Sequence, residues 1–380
     1  MHRIAHLAWI FLWLPTLASA ENLEQCIKGD EARILGNLEL AVSHYTQCIE
    51  QGDLSTSSLL KAHYDRGNAY LIAGQLSQAI LNYDEAARLA PSNANVLIDR
   101  GIALTRMGQF NRAILDFDQA IRLAPNDDTP LFNRGNVNSA KKRFDRAIQD
   151  FSEAIRLNPD NQAAYNNRGL TFSQTGQYDK AILDFDHALR LAPNNESVYF
   201  NRGVARTNKR QFKKAVLDFS EAIRLNPAHT ISLSGRGRAK FLSGDFDAAA
   251  SDFKTAVSLL PGDPYAVIWL FLAQTRLGRD GRNDLIKTAA PFTREQWPGP
   301  IIAMLLEHST ANELVYLASD SDSERQKEKK TEANFYAGQK ELAAGNRTAA
   351  AGYFRETVKT GITRFIEYIA AEEELKHIGN

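Results

Sequence analysis

The sequence predicts an all-α solenoid of about eight or nine stacked helix pairs, and three observations predict it. The first is a period of 34 residues: Arg66-Gly67, Arg100-Gly101, Arg134-Gly135, Arg168-Gly169, Arg202-Gly203 and Arg236-Gly237 follow one another without a slip. The second is that other columns keep the same period. Alanine recurs at Ala79, Ala113, Ala147, Ala181, Ala215 and Ala249. An aromatic follows at Tyr83, Phe117, Phe151, Phe185, Phe219 and Phe253, and a second alanine column runs from Ala86 to Ala256. The third is a closing proline in each unit: Pro91, Pro125, Pro159, Pro193, Pro227 and Pro261. Small residues such as Gly67 and Ala79 let two antiparallel helices approach closely, and the aromatic fills the space between neighbouring pairs. Proline, which lacks an N–H and clashes with the preceding turn, stops the second helix. No single pair can bury its apolar face, so the units must stack into a solenoid.

This spacing of glycine, small residue, aromatic and proline resembles the tetratricopeptide repeat (TPR) family. The resemblance implies a right-handed solenoid whose first helices line a concave groove. The chain departs from the family in one column, where Arg replaces Leu before the glycine in all six units. Asp116, Asp150, Asp184, Asp218 and Asp252 stand 16 residues beyond five of those arginines. Bidentate pairing of guanidinium and carboxylate suits a semi-buried seam, so these columns are expected to form an Arg–carboxylate ladder within each repeat.

Residues 1–20 read as a secretory signal. His2 and Arg3 precede the apolar run Ala8-Trp9-Ile10-Phe11-Leu12-Trp13-Leu14, and Ala18-Ser19-Ala20 forms a cleavage site, so the mature chain is expected to start at Glu21, most simply in a bacterial periplasm. The apolar run is shorter than the roughly 20 residues needed to span a bilayer. The formal net charge is zero, which argues against a general nucleic-acid or anionic-membrane binder.

Residues 21–59 form a divergent first unit, in which Gly29, Gly36, Ala41 and Tyr45 fit the repeat columns and place Cys26 and Cys48 on facing helices. The two cysteines form either a disulfide pinning the first hairpin or a pair of small buried hydrophobes. Leu23-Glu24-Gln25 lacks the small residues that precede a lipidated cysteine. An insertion of four residues near Gly52-Asp53-Leu54-Ser55 is expected to be a loop, and six regular units follow over residues 60–263. Gly74, Gly108, Gly176 and Gly244 mark the inner turns, where Lys142 and Arg210 stand instead in two units and must accept a left-handed backbone.

Residues 264–330 form a degenerate helical region with helices expected over 264–278, 301–306 and 311–318, the last capped by Thr310. Residues 331–380 recover the repeat columns and close on an amphipathic helix expected to cap the solenoid's end. The C-terminal third also resembles NlpI-type periplasmic TPR proteins, through Tyr265-Ala266-Val267-Ile268-Trp269-Leu270-Phe271-Leu272-Ala273, Glu295-Gln296-Trp297, Asn334-Phe335-Tyr336-Ala337-Gly338 and Phe365-Ile366-Glu367-Tyr368. That resemblance implies a dimerising adaptor that presents cell-wall hydrolases to a C-terminal-processing protease.

No constellation for catalysis, metal or cofactor stands out: the histidines are scattered singly, and there is neither a metal-binding His pair on a helix nor a phosphate-binding glycine loop. The chain is therefore expected to be a non-catalytic scaffold or adaptor without cofactor or metal. The alternative is a structural subunit of an envelope assembly or export complex. The groove column, three residues before each glycine, supplies Tyr64, Ile98, Phe132, Asn166 and Phe200, with Asn133, Asn167 and Asn201 one position on. These residues either take an extended peptide, aromatics holding side chains and amides its backbone, or pack between repeats. Asp65, Asp99, Thr129 and Ser197 occupy positions where a chaperone-type carboxylate clamp needs Lys, Arg or Asn, which disfavours that ligand. Trp269, Phe271, Trp297 and Tyr336 either mediate self-association as a homodimer or cement an irregular core.

Overall fold

In the computed structural model, residues 17–52, 54–289, 293 and 296–379 are described. Among them every regular element is a helix, and the chain divides into two compact units, Met1–Ala164 and Tyr165–Asn380. Most of the expected signal segment, together with Asp53 and Glu295, lies outside the described residues.

The first unit holds α1 (Leu17–Ile34), α2 (Leu38–Glu50), α3 (Thr56–Ile72), α4 (Leu76–Leu89), α5 (Ala94–Arg106), α6 (Phe110–Leu123), α7 (Asp128–Ala140) and α8 (Phe144–Leu157). Next comes α9 (Gln162–Gln174), within which the division falls. The second unit continues with α10 (Tyr178–Leu191), α11 (Glu196–Asn208), α12 (Phe212–Leu225), α13 (Thr230–Leu242) and α14 (Phe246–Leu259). Then follow α15 (Pro264–Arg276), α16 (Arg282–Ala289), α17 (Gly299–Leu305), α18 (Ala311–Leu317), α19 (Ser323–Ala343), α20 (Arg347–Lys359) and α21 (Ile366–Gly379). Within each unit these stack as the helix pairs of a TPR solenoid, followed in the second by additional C-terminal helices.

Local chemistry sets the ends of these elements. Several first helices start at an Asx cap: Asn93 accepts from the Asn95 and Val96 amides, Asp127 from Thr129 and Asn195 from Val198. Inner turns put Gly74, Gly108 and Gly176 at φ +74°, and Lys142 and Arg210 hold φ +56° at the equivalent place. Gly52, Leu54 and Ser55 lie outside any helix, as expected of the insertion, and the residues after them lengthen α3 by a turn. Ser55 caps α3 through the Ser58 amide, so α3 starts four residues ahead of the register of the later repeats.

The core follows the columns. Phe117, Phe151, Phe185, Phe219 and Phe253 are almost completely buried. A Cβ on Gly135 would come within 2.7 Å of the Phe151 ring, so the glycine is required by the close approach of the first helix to that ring. The arginine column joins two repeats rather than one. Arg100 holds Asp116 through Nε at 2.8 Å and Nη2 at 2.7 Å, and its Nη1 donates to Asp84 of the preceding repeat at 2.8 Å. Arg134 repeats this with Asp150 and Asp118, and Arg202 with Asp218 and Asp186. The intra-repeat half matches the expected spacing, and the inter-repeat half adds a staple that the sequence reading lacked.

Cys26 of α1 and Cys48 of α2 are joined by a disulfide, their Cα atoms 5.3 Å apart, and both are buried. In the second unit Trp269 and Tyr336 are buried to 1% and 0% exposure. Trp269 lies edge-on to Phe241 and close to Phe335, with ring centroids 5.2 and 5.7 Å away. Trp269 and Tyr336 both lie inside the core cluster of this unit, and Phe271 and Trp297 are partly buried against it.

Candidate protein-binding surface

The two units each present a face built from their first helices. In the first unit, Tyr64 is half-buried with its ring 6.1 Å from Tyr83 and its hydroxyl donating to Asp99 at 2.5 Å. Burial pushes the Asp99 carboxyl up, and the Tyr64 hydroxyl opposes that shift. Phe132 sits in the same way on Phe151, centroids 6.0 Å apart. The ring contacts lie within one repeat, while the Tyr64–Asp99 bond reaches the next one, and both rings are half-buried. Ile98 departs from the column: at 5% exposure it belongs to the core beside Leu97 and Ala120, not to a groove lining. Asn133 is half-buried and donates to the Thr129 carbonyl at 2.9 Å.

In the second unit, Phe200 packs on Phe219 at 5.8 Å and meets His229 edge-on. Asn201 donates to Asn166 at 3.1 Å, and Asn166 donates to Asn167 at 3.0 Å. A peptide docking on these amides would therefore exchange internal hydrogen bonds for its own.

What sequence reasoning missed is the path of α21. Expected as an end cap, it does pack on α19 and α20, and its acidic residues also reach the C-terminal ends of α11 and α15. Arg210, at the turn after α11, pairs with Glu372 and with Glu373 at 3.0 Å. Arg276 at the end of α15 pairs with Glu374, which also accepts from Gln339 at 2.9 Å. A cleft of about 390 Å³ remains between residues 364–369 and α11, α13, α15 and α19. Two signals in the sequence could have found this: an arginine in a turn column that glycine fills in most repeats, and the run Glu372-Glu373-Glu374.

A buried polar cluster lies at the cleft's floor. Glu332 accepts from the Tyr265 hydroxyl at 2.8 Å and from Trp297 Nε1 at 2.7 Å, while Glu367 accepts from the Tyr336 hydroxyl at 2.9 Å. Burial, with the Glu367 charge acting in the same direction, pushes the Glu332 carboxyl up to about 7, and the bonds from Trp297 and Tyr265 oppose the rise. Glu367 is likewise raised by burial. A raised carboxyl keeps a proton that the unfolded chain has released. Its stabilisation is therefore complete below the ordinary value of 4.5 and is lost as pH rises through about 7. Thermal unfolding between about pH 5 and pH 8 should show a falling midpoint that Glu332→Gln flattens, and an unaltered slope would contradict the assignment.

Comparison with known proteins bears on the repeats first. Models described as tetratricopeptide repeat or TPR repeat match residues 67–108, 94–127, 130–161, 163–195 and 200–264. The chain is a tetratricopeptide repeat protein. TPR families are in general non-catalytic and bind proteins or peptides. The chain is also distantly similar to a lipoprotein NlpI homolog of Haemophilus influenzae, 30% identical over 116 residues. That match covers 30% of this chain and 37% of the relative, so the chain spans little more than a third of that relative's length.

Among solved structures, a tetratricopeptide repeat protein from Parabacteroides merdae shares the fold at a TM-score of 0.50 and 20% identity, over 67% of this chain and 99% of that one. YrrB, described as a TPR protein with an unusual peptide-binding site, aligns at a TM-score of 0.45 and 20% identity, over 49% and 96%. No helix among the described residues is long and apolar enough to cross a membrane.

Proposed function

We propose that this TPR protein is a non-catalytic scaffold of the bacterial envelope that binds proteins on its first-helix faces. In this reading it presents envelope substrates, such as cell-wall hydrolases, to a C-terminal-processing protease. The observation that carries the adaptor role is the 30% identity to a lipoprotein NlpI homolog on a TPR frame. The signal-like residues 1–20 and the Cys26–Cys48 bond both support export to an oxidising compartment. The half-exposed rings of Phe132 and Phe200, flanked by Asn133 and Asn201, support the first-helix faces as the contact surface.

The test is affinity capture from envelope extract with residues 21–380, beside the double variant Asn133→Arg/Asn201→Arg. The adaptor reading expects a processing protease or a cell-wall hydrolase with the wild-type bait and its loss with the variant. Recovery of neither class by the wild-type bait would sink it.

A further inference from the structure

We propose that α21 is an intramolecular occupant of the second unit's first-helix face, and that a working partner replaces it there with an acidic amphipathic helix. This rests on the reading of the first-helix faces as protein-binding surfaces and specifies the ligand of one of them.

Three observations carry the inference. The contacts of α21 form a charge pattern: Glu372 and Glu373 meet Arg210, and Glu374 meets Arg276 and Gln339. Next, Arg210 holds a left-handed backbone that Gly74, Gly108, Gly176 and Gly244 adopt without strain at the equivalent turns. Lys142 of the first unit holds the same conformation at φ +56°, and Arg210 contacts α21 from it. Finally, α21 fills the face incompletely. The cleft left at its N-terminal end is lined by Val204, Thr207, Arg238 and Tyr265 together with the carboxyls of Asp263, Glu332 and Glu367, and Arg238, which acts on Glu367 by its charge, has its Nε buried there without a hydrogen-bond partner. A longer acidic helix in the same seat would add a carboxylate for Arg238 and apolar residues for Val204.

The contacts of α21 are of two kinds. The Arg210 pairs are partly exposed, with 35% of the arginine side chain and 28% of Glu372 accessible, and ion pairs so placed hold weakly. The Arg276–Glu374 pair, with Glu374 at 9%, and the apolar face carrying Ile369, Ala370 and Ala371 are buried, so exchange of α21 for a partner helix must replace those contacts as well. An occupant held in cis lowers apparent affinity for a helix in trans by the fraction of molecules in which the face is open.

The experiment uses the mature full chain and, as probe, a fluorescent peptide with the sequence of residues 362–380. Glu372→Ala/Glu373→Ala/Glu374→Ala in the full chain removes the bonds of α21 to Arg210, Arg276 and Gln339. The proposal expects the peptide to bind this variant about tenfold or more tightly than wild type. It further expects that binding to vanish when the peptide's three adjacent glutamates become glutamines, or when Arg210→Ala/Arg276→Ala is added to the receptor. Hydrogen exchange should show α21 amides opened in the triple variant while α19 and α20 stay protected, which separates release of the helix from unfolding.

Equal binding to wild type and variant overturns the proposal, as does no binding to a variant whose α21 amides have opened. Binding that survives the glutamine peptide overturns the acidic character of the ligand. A triple variant that dimerises without peptide would instead assign the face to a second copy. Capture of a partner through Asn133 and Asn201 is read independently, so failure of the peptide competition would leave the scaffold reading standing.

Discussion

Replacing Arg134 with leucine, the residue that the TPR family carries in this column, is expected to destabilise α7 and α8 by about 3–5 kcal/mol. The guanidinium takes Asp150 at 2.6 Å and Asp118 at 2.6 Å, and the Asp150 side chain is only 7% exposed. Leucine would leave Asp150 with the Asn138 amide, at 2.8 Å, as its remaining hydrogen-bond partner. A carboxylate kept out of water with its cation removed bears most of its desolvation cost, whereas removing both charges restores an apolar seam. Arg134→Leu/Asp150→Leu should therefore recover most of the loss. Because an array need not unfold in one step, hydrogen exchange of α7 and α8 amides is the appropriate readout. A single variant as protected as wild type, or a double variant worse than the single, would show that the ladder does not hold the repeats together.

The second large effect is expected at the other end of the molecule. Opening the Cys26–Cys48 bond, by reductant or by Cys26→Ala/Cys48→Ala, should destabilise the α1–α2 hairpin by about 3 kcal/mol, the chain-entropy value for a loop of this size. The bond closes a separation of 22 residues, and the hairpin packs on the array through α3. Protection should fall in α1 and α2 under reductant and be unchanged in α5 and α6. Mass spectrometry after thiol alkylation supplies the check on the bond itself: protein recovered from an oxidising compartment should take up no label at Cys26 or Cys48. Two labelled thiols in that sample would remove both the staple and one support for envelope location.

The repeat core was legible because each column is a local demand made six times over. Gly135 faces Phe151 within one repeat, and a left-handed turn falls where Lys142 breaks the glycine column. The Arg134–Asp150 half of the ladder was readable for the same reason. Its other half, Arg134 to Asp118, depends on the offset between stacked repeats, which no single repeat specifies. The extra turn on α3 was missed since Ser55, part of an apparent loop, is also a good N-cap, and a cap extends a helix wherever the following residues allow it. In the C-terminal part, periodicity showed that Ile366 and Ile369 share an apolar face of a helix but not which surface that face would meet. Trp269 and Tyr336 looked like departures available for contact, yet the irregular packing of α15, α19 and α21 needs their volume inside.

The central claim is that partners meet the first helices rather than the second, and site-specific photo-crosslinking tests it most directly. A photoreactive side chain at Asn133 or Asn201 places the probe on first helices, and one at Leu115 or Leu217, each 67% exposed, places it on second helices. With envelope extract as the source of partners, the account predicts discrete adducts from Asn133 and Asn201 and none from Leu115 and Leu217. Adducts from the leucine positions alone would contradict it and move the working surface to the opposite side of the repeats.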